Sequence, residues 1–270
     1  MSGKRAALPE GGVQKDGVVW PEAKPGQRFA ALEGTSFPAT KPPADGGGTI
    51  AAHSPGRERA EQRLVGRVFE RCQAAILLAC KFSTAPPEFL GALTANESGG
   101  DASAARFEPA VYRHLAAVVS GQSPAYGSIH CDDLRAELGR VLHPKADEFH
   151  AQFLPPALGA NHRQALAALP DEGLRELATS WGYTQIMGYH MVGRSGTVRD
   201  LLEPAFHYRV ALELLAEFAA AFQLDLAREF SEMFSCWNTG QPYGKCWDPH
   251  YVENGLHRMG IYAERLKGKG

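Results

Sequence analysis

Apolar positions in the chain recur at helical spacing from about Arg59 onward. Between Arg59 and Phe82 the residues Leu64, Val68, Ala75, Leu78 and Phe82 form an apolar stripe among charges, which predicts an amphipathic helix. The segment PPEFLGALTANESGG follows. Pro86 and Pro87 suit a first helical turn, where a missing N–H costs little, and Gly99 and Gly100 terminate, so a helix is expected from about Pro87 to about Ser98. Further helices are expected over Glu108–Ser120, near Cys131–Leu142, and through Leu174, Leu177 and Ala178 with Asp171 as N-cap. Short helical turns are expected over 144–169. Pro204 opens a helix through Val210, Leu214, Leu215, Phe218 and Phe222, another spans Leu224–Phe234, and Asp248–Lys267 closes the chain with Val252, Leu256, Met259 and Tyr262 inward. Strand signals are almost absent and no fixed-period repeat occurs.

Residues 1–57 break this pattern. They are rich in Gly, Pro, Ala and Lys without a sustained period, and read as a disordered tail or linker before a domain at 58–270. Val18, Val19, Trp20, Phe29 and Phe37 are anchors by which the tail could instead dock.

Composition narrows the classes. A hydrophobic share of 44% over 270 residues is ample for a core, and a net charge of −2 supplies no general attraction for nucleic acid or an anionic membrane. The longest apolar run, Ala74–Cys80, is too short to span a bilayer, and MSGKRAALPEGG lacks the apolar stretch of a signal peptide, so no Sec export is expected. Five cysteines are an odd, sparse set, expected to be free thiols; a Cys236–Cys246 disulfide is the alternative. A zinc site from Cys236, Cys246, His250 and His257 lacks the usual ligand spacing. No cofactor is expected, and the chain is expected to be a monomer.

The candidate chemistry begins at Glu97. Leu90, Leu93 and Glu97 follow i, i+3, i+7 spacing, which places the acid on the apolar side of its helix. A carboxylate against leucines is poorly solvated, so its pKa should rise above roughly 4.3 and let it hold a proton near neutrality. A general acid facing a poor leaving group needs that property. The plainer alternative has Glu97 ending its helix in solvent or pairing with Arg106.

Two more segments join it. Ser180–Gly188, SWGYTQIMG, sets Gln185 and aromatic side chains in a glycine-flanked turn, a mix suited to stacking on sugar rings and bonding their hydroxyls, or to an aromatic core corner. Phe234–Gly240, FSCWNTG, ends a helix in a polar loop where Asn238 can bind substrate or simply turn the chain, and Tyr251 follows within reach of Glu97.

In this order the three segments resemble the lysozyme superfamily. Glu97-Ser98-Gly99 resembles the catalytic glutamate motif of goose-type lysozymes and soluble lytic transglycosylases. Gly182-Tyr183-Thr184-Gln185-Ile186-Met187 resembles their Gly-Leu-Met-Gln-Ile-Met, and Trp237-Asn238-Thr239-Gly240 resembles their Tyr-Asn-Ala-Gly, with Trp237 in place of tyrosine. Glu97 and Gln185 stand 88 positions apart, so an inserted helical region must fill the gap. This spacing, with Arg106-Phe107-Glu108 and Ser180-Trp181-Gly182, is more similar to the N-acetylmuramidases of phage and bacterial wall lysins. The resemblance implies an all-α, lysozyme-like domain with little or no sheet that cleaves the β-1,4 MurNAc–GlcNAc bond of peptidoglycan. Glu97 would be the acid, and Tyr183, Gln185, Asn238 and Tyr251 substrate contacts.

A second carboxylate sets the route. Inversion needs the two carboxyls roughly 6.5–9.5 Å apart and retention about 5–5.5 Å. Asp101, after the glycine turn, and Glu108 are the available partners; Glu108 can instead cap the next helix or pair with Arg106. If neither serves, the resemblance implies the transglycosylase route, in which Glu97 is acid and then base and the sugar's own hydroxyl closes an anhydro ring. The rival of another class is a lysozyme-like glycan-binding or structural module without turnover. A wall-cutting chain without a signal would stay in the cytoplasm until released through a holin, a secretion system or a non-classical route, or travel with a virion.

Overall fold

The computed structural model describes residues 14–15, 18–19, 55–141 and 172–268. The expectation for Asp171 and for turns over 144–169 lies outside them, as does most of the expected tail; within the tail, strands β1 (Gln14–Lys15) and β2 (Val18–Val19) pair antiparallel.

Helix α1 (Pro55–Cys80) is buried along Val65, Val68, Phe69, Cys72 and Ile76, a spacing of i, i+3, i+4, i+7, i+11. The expected stripe is corrected by this. Leu78 is 53% exposed, and Phe82, beyond the helix end, is 73% exposed. At about 100° per residue Leu78 stands roughly 140° around the axis from the face centred on Val65, Cys72 and Ile76, and Phe82 follows the helix end, so the expected stripe runs beside the core face rather than along it.

Helix α2 (Pro87–Glu97) is the centre of the domain. Every residue from Phe89 to Ala95 is buried, so the helix is enclosed on all sides rather than on one face. It packs against α1 and against α8 (Tyr251–Lys267), and α1 in turn packs on α6 (Pro204–Phe222). Its polar Thr94 is satisfied locally: Oγ1 donates to the Leu90 carbonyl at 2.8 Å and lies 3.2 Å from the Tyr208 hydroxyl.

Chain order then runs through β3 (Ala105–Phe107), α3 (Pro109–Val119), the pair β4 (Ala125–Tyr126) and β5 (Ile129–His130), α4 (Cys131–Val141), α5 (Glu172–Leu177), β6 (Thr179–Trp181) and β7 (Ile186–Met187). Strands β3, β6 and β7 form an antiparallel three-stranded sheet with Arg106 opposite Ser180 and Ser180 opposite Met187. The expected glycine-flanked turn of the second motif is thus a tight β-turn between strands, in a segment without a strand signal in the sequence. Trp181 anchors it, fully buried, with Nε1 donating to the Glu176 carbonyl at 3.0 Å. Two 3₁₀ helices, Gly188–Met191 and Val198–Leu202, lead into α6.

Helix α7 spans Phe230–Thr239, not Leu224–Phe234. Gln223 ends α6 in a left-handed conformation, and the Asp225 carboxylate accepts the Ala227 N–H at 2.9 Å. A side-chain-capped turn therefore occupies the residues expected to open the helix. In α8 Tyr251, Gly255, Ile261 and Tyr262 are buried, Val252 and Met259 pack against the core half-buried as expected, and Leu256 is instead 40% exposed. The architecture is mostly helical with small sheets, as the pattern predicts. No helix among the described residues is long and apolar enough to cross a membrane.

Candidate active site

Glu97 is the last residue of α2, where an enclosed helix reaches the surface. The Thr94 carbonyl accepts N–H groups from both Ser98, at 3.1 Å, and Gly99, at 3.0 Å, and Gly99 takes φ 64°, so the chain turns sharply off the helix just beyond the acid. The carboxyl keeps a solvent edge but has mostly protein around it, and burial pushes its pKa up to about 7. The Tyr251 hydroxyl donates a short hydrogen bond to Glu97 Oε1 and, with the Arg106 charge, partly offsets that rise. Tyr251 is itself buried beside the carboxylate, which holds its own pKa well above the usual phenol value and keeps it a donor.

Asn96 fixes this pair. Its Nδ2 donates to the Tyr251 carbonyl at 3.1 Å, while its Oδ1 accepts from Arg258 Nη1 at 2.8 Å. Arg258 also grips Glu61 through Nε at 2.7 Å and Nη2 at 3.0 Å, and this bond holds the Glu61 carboxyl below its ordinary pKa. Nothing in the sequence pattern marks Asn96 as the brace of this pair. Arg258 and Glu61 lie 162 and 35 positions from it in the chain, so no local signal could connect them.

The Gly182–Gln185 turn is pinned on every side. Ser98 Oγ donates to the Tyr183 carbonyl at 2.6 Å, which ties the turn to the end of α2. The Thr184 N–H donates to His207 Nε2 at 2.8 Å, and Trp237 Nε1 donates to the Thr184 carbonyl at 3.0 Å. His207 must then carry its proton on Nδ1, 2.8 Å from the Leu201 carbonyl, and full burial lowers its pKa to about 4. Gly182 is required here: φ is 69°, and a Cβ would stand 2.6 Å from the Leu201 carbonyl oxygen. His207 was missed because its sequence neighbours mark only a core helix.

The other nominated residues take varied places. Gln185 adopts φ 55° and folds back, Nε2 donating to the Ala104 and Gly182 carbonyls at 3.0 and 2.9 Å while Oε1 accepts from Ser180 Oγ at 2.9 Å. Its amide builds the turn. Tyr183 is 8% exposed, packed on His207 and Tyr208. Asn238 is exposed near the C-terminal end of α7. Asp101 is exposed, its Oδ1 accepting from the Ser103 N–H at 2.9 Å and Ser103 Oγ at 2.7 Å. Glu108 pairs with Arg106 at 2.7 Å and does not cap α3 through its side chain.

A cleft of about 450 Å³ opens alongside, walled by Tyr126, Ile129, Met187, Tyr189 and Trp237. Gln185 and Asn238 border it; Glu97, Asp101 and Tyr251 are not among its walls. Arg194, at its edge, is held by Glu213 at 2.8 Å and Glu217 at 2.5 Å. The three motifs therefore converge on one structural unit, with the acid at one end of the pinned turn and the aromatic cleft at the other.

No family model matches the chain, nor does any curated protein or solved structure. The chemistry has to be read from the residues themselves. All five cysteines are free. Among the described residues no group of three or more His, Cys, Asp or Glu is arranged to hold a metal ion.

Proposed function

We propose that this chain is a glycosidase of peptidoglycan, an N-acetylmuramidase that cleaves the β-1,4 bond between N-acetylmuramic acid and N-acetylglucosamine with Glu97 as general acid. The observation that carries this reading is the Glu97 carboxyl itself: buried at a helix end, pushed up to about 7, and aimed by Tyr251. A carboxyl poised near neutrality can give its proton to the departing glycosidic oxygen while C1 of the muramic residue develops positive charge. In hydrolysis a water then bonds to C1, and its own proton passes to a second carboxylate, Asp101. The aromatic cleft with Asn238 at its rim is suited to sugar rings, which stack on flat faces and present hydroxyls at their edges.

The second reading is a lytic transglycosylase acting on the same bond. The engagement of Asp101 with Ser103 and of Glu108 with Arg106 favours it, because of the three nominated carboxyls it leaves Glu97 as the one not held by a neighbour of its own loop. There the C6 hydroxyl attacks C1, its proton goes to the Glu97 carboxylate, and no water is consumed.

Mass spectrometry of fragments released from purified peptidoglycan tests both readings, with Glu97→Gln run beside the parent. Reducing N-acetylmuramic ends that vanish in the variant identify the hydrolase, and 1,6-anhydro ends identify the transglycosylase. Glycan binding without fragments from either protein makes the chain a binding module and overturns the enzyme reading.

A further inference from the structure

Helix α1 carries a basic ladder on its outer face. Arg59, Arg63, Arg67 and Arg71 recur every four residues and are all exposed. Residues at that spacing rise about 6 Å and turn about 40° per step, so the four guanidinium groups span about 18 Å and roughly a third of the circumference, on the side opposite the core face. None of the four makes an ion pair among the described residues. The acids that could have neutralised them are turned elsewhere: Glu58 binds His257 at 3.0 Å and Glu61 binds Arg258. Glu70 is the exposed acid left on that face.

The ladder runs into an apolar end. Leu77, Leu78 and Phe82 are 36%, 53% and 73% exposed, with exposed Lys81 among them. Beneath them lies an open recess of about 460 Å³ walled by Leu77, Cys80, Ala85, Pro86 and Pro87. Large apolar side chains left in water beside a line of unpaired cations mark an interaction surface.

We propose that this face of α1 docks on an anionic phospholipid membrane, the arginines meeting headgroup phosphates while Leu77, Leu78 and Phe82 enter the acyl boundary. Charge complementarity selects an anionic partner, and the adjoining apolar end selects a lipid surface over a soluble polyanion, which would offer those side chains nothing to bury against. A net charge of −2 does not oppose this, because screening confines electrostatics to about 10 Å and the ladder alone faces the surface. The inference is independent of the glycosidase reading.

Vesicle co-sedimentation of the full chain tests it, with phosphatidylglycerol mixed into phosphatidylcholine and with phosphatidylcholine alone. The parent should bind the anionic vesicles and release them in high salt. Arg63→Gln/Arg67→Gln/Arg71→Gln should weaken partitioning roughly a hundredfold, since each basic residue near such a surface contributes about a fivefold gain. Leu78→Ser/Phe82→Ser should also weaken it, and Glu97→Gln should leave it unchanged. All substituted positions of the first two variants are solvent-exposed, so circular dichroism should report an intact fold. Equal binding to phosphatidylcholine, or no binding to either vesicle, overturns the proposal. So does a loss confined to the arginine variant, which would make the partner a soluble polyanion.

Discussion

At Glu97 burial gives stability a pH dependence. Its folded pKa, about 7, stands above the unfolded value of 4.5, so the folded chain holds this proton more tightly than the unfolded chain does. The associated stability is complete below about pH 4.5 and is lost as pH rises through about 7, amounting to on the order of 3 kcal/mol. Glu97→Gln stays neutral throughout and can still accept from Tyr251. Urea denaturation should therefore show the variant gaining stability over the parent by that amount between acid and mildly alkaline pH. An unchanged difference across that window would mean the carboxyl is well solvated. Tyr251→Phe removes a donor that favours the charged form, so the Glu97 pKa should climb further. If the general-acid reading is correct, the alkaline limb of kcat/KM should then move to higher pH; a limb that stays put would assign the titration to another group.

Among the elements, the contact of α2 with α8 does most to place the acid. Gly91 faces Tyr262 so closely that a Cβ would stand 2.3 Å from the ring, and that ring is fully buried and packed edge-on against Phe69. Gly91→Ala would gain up to about 1 kcal/mol of helix propensity but forces the two helices or the ring apart, an overpacking cost of about 1–3 kcal/mol. The expected result is a lower urea midpoint with an unchanged m-value, and a weakened Tyr251–Glu97 contact. A stabilised variant would mean that Tyr262 can turn aside freely. The β6–β7 turn shows the same dependence on neighbours: its backbone is held by α2, α6 and α7, and its side chains reach Ala104 through Gln185 and His207 and Tyr208 through Tyr183.

For the molecule as a whole, the large shifts among the described residues that bear on acid stability are those of His207 and His190 against that of Glu97. Burial lowers His207 to about 4, and burial with the nearby Arg194 charge lowers His190 to about 3. Both pKa values fall below the unfolded 6.5, so the stability they contribute is complete above about pH 6.5 and is lost as pH falls toward 4 and 3. Glu97 changes stability the opposite way between about 7 and 4.5. Two groups outweigh one, and the urea midpoint should fall on acidification below about pH 6.5, with a shallower fall in His207→Gln. A midpoint that rises on acidification would overturn this balance.

The sequence determined the helical class, the placement of Glu97 at the end of an apolar helix, and the glycine stops, because each depends on neighbours within a turn or two of the chain. It also held the α1 arginine ladder in plain four-residue spacing, hidden by a net charge that averages over the whole chain. Tertiary structure alone decided the rest. Whether Leu78 and Phe82 lie inside or out, that Gln185 commits its amide to its own turn and to the Ala104 carbonyl, and that Asn96, Arg258 and Glu61 brace the acid all depend on contacts between distant segments. The strands escaped notice for the same reason: Ala105–Phe107 and Thr179–Trp181 are too short to show a period, and they become strands only by pairing with each other across more than seventy residues.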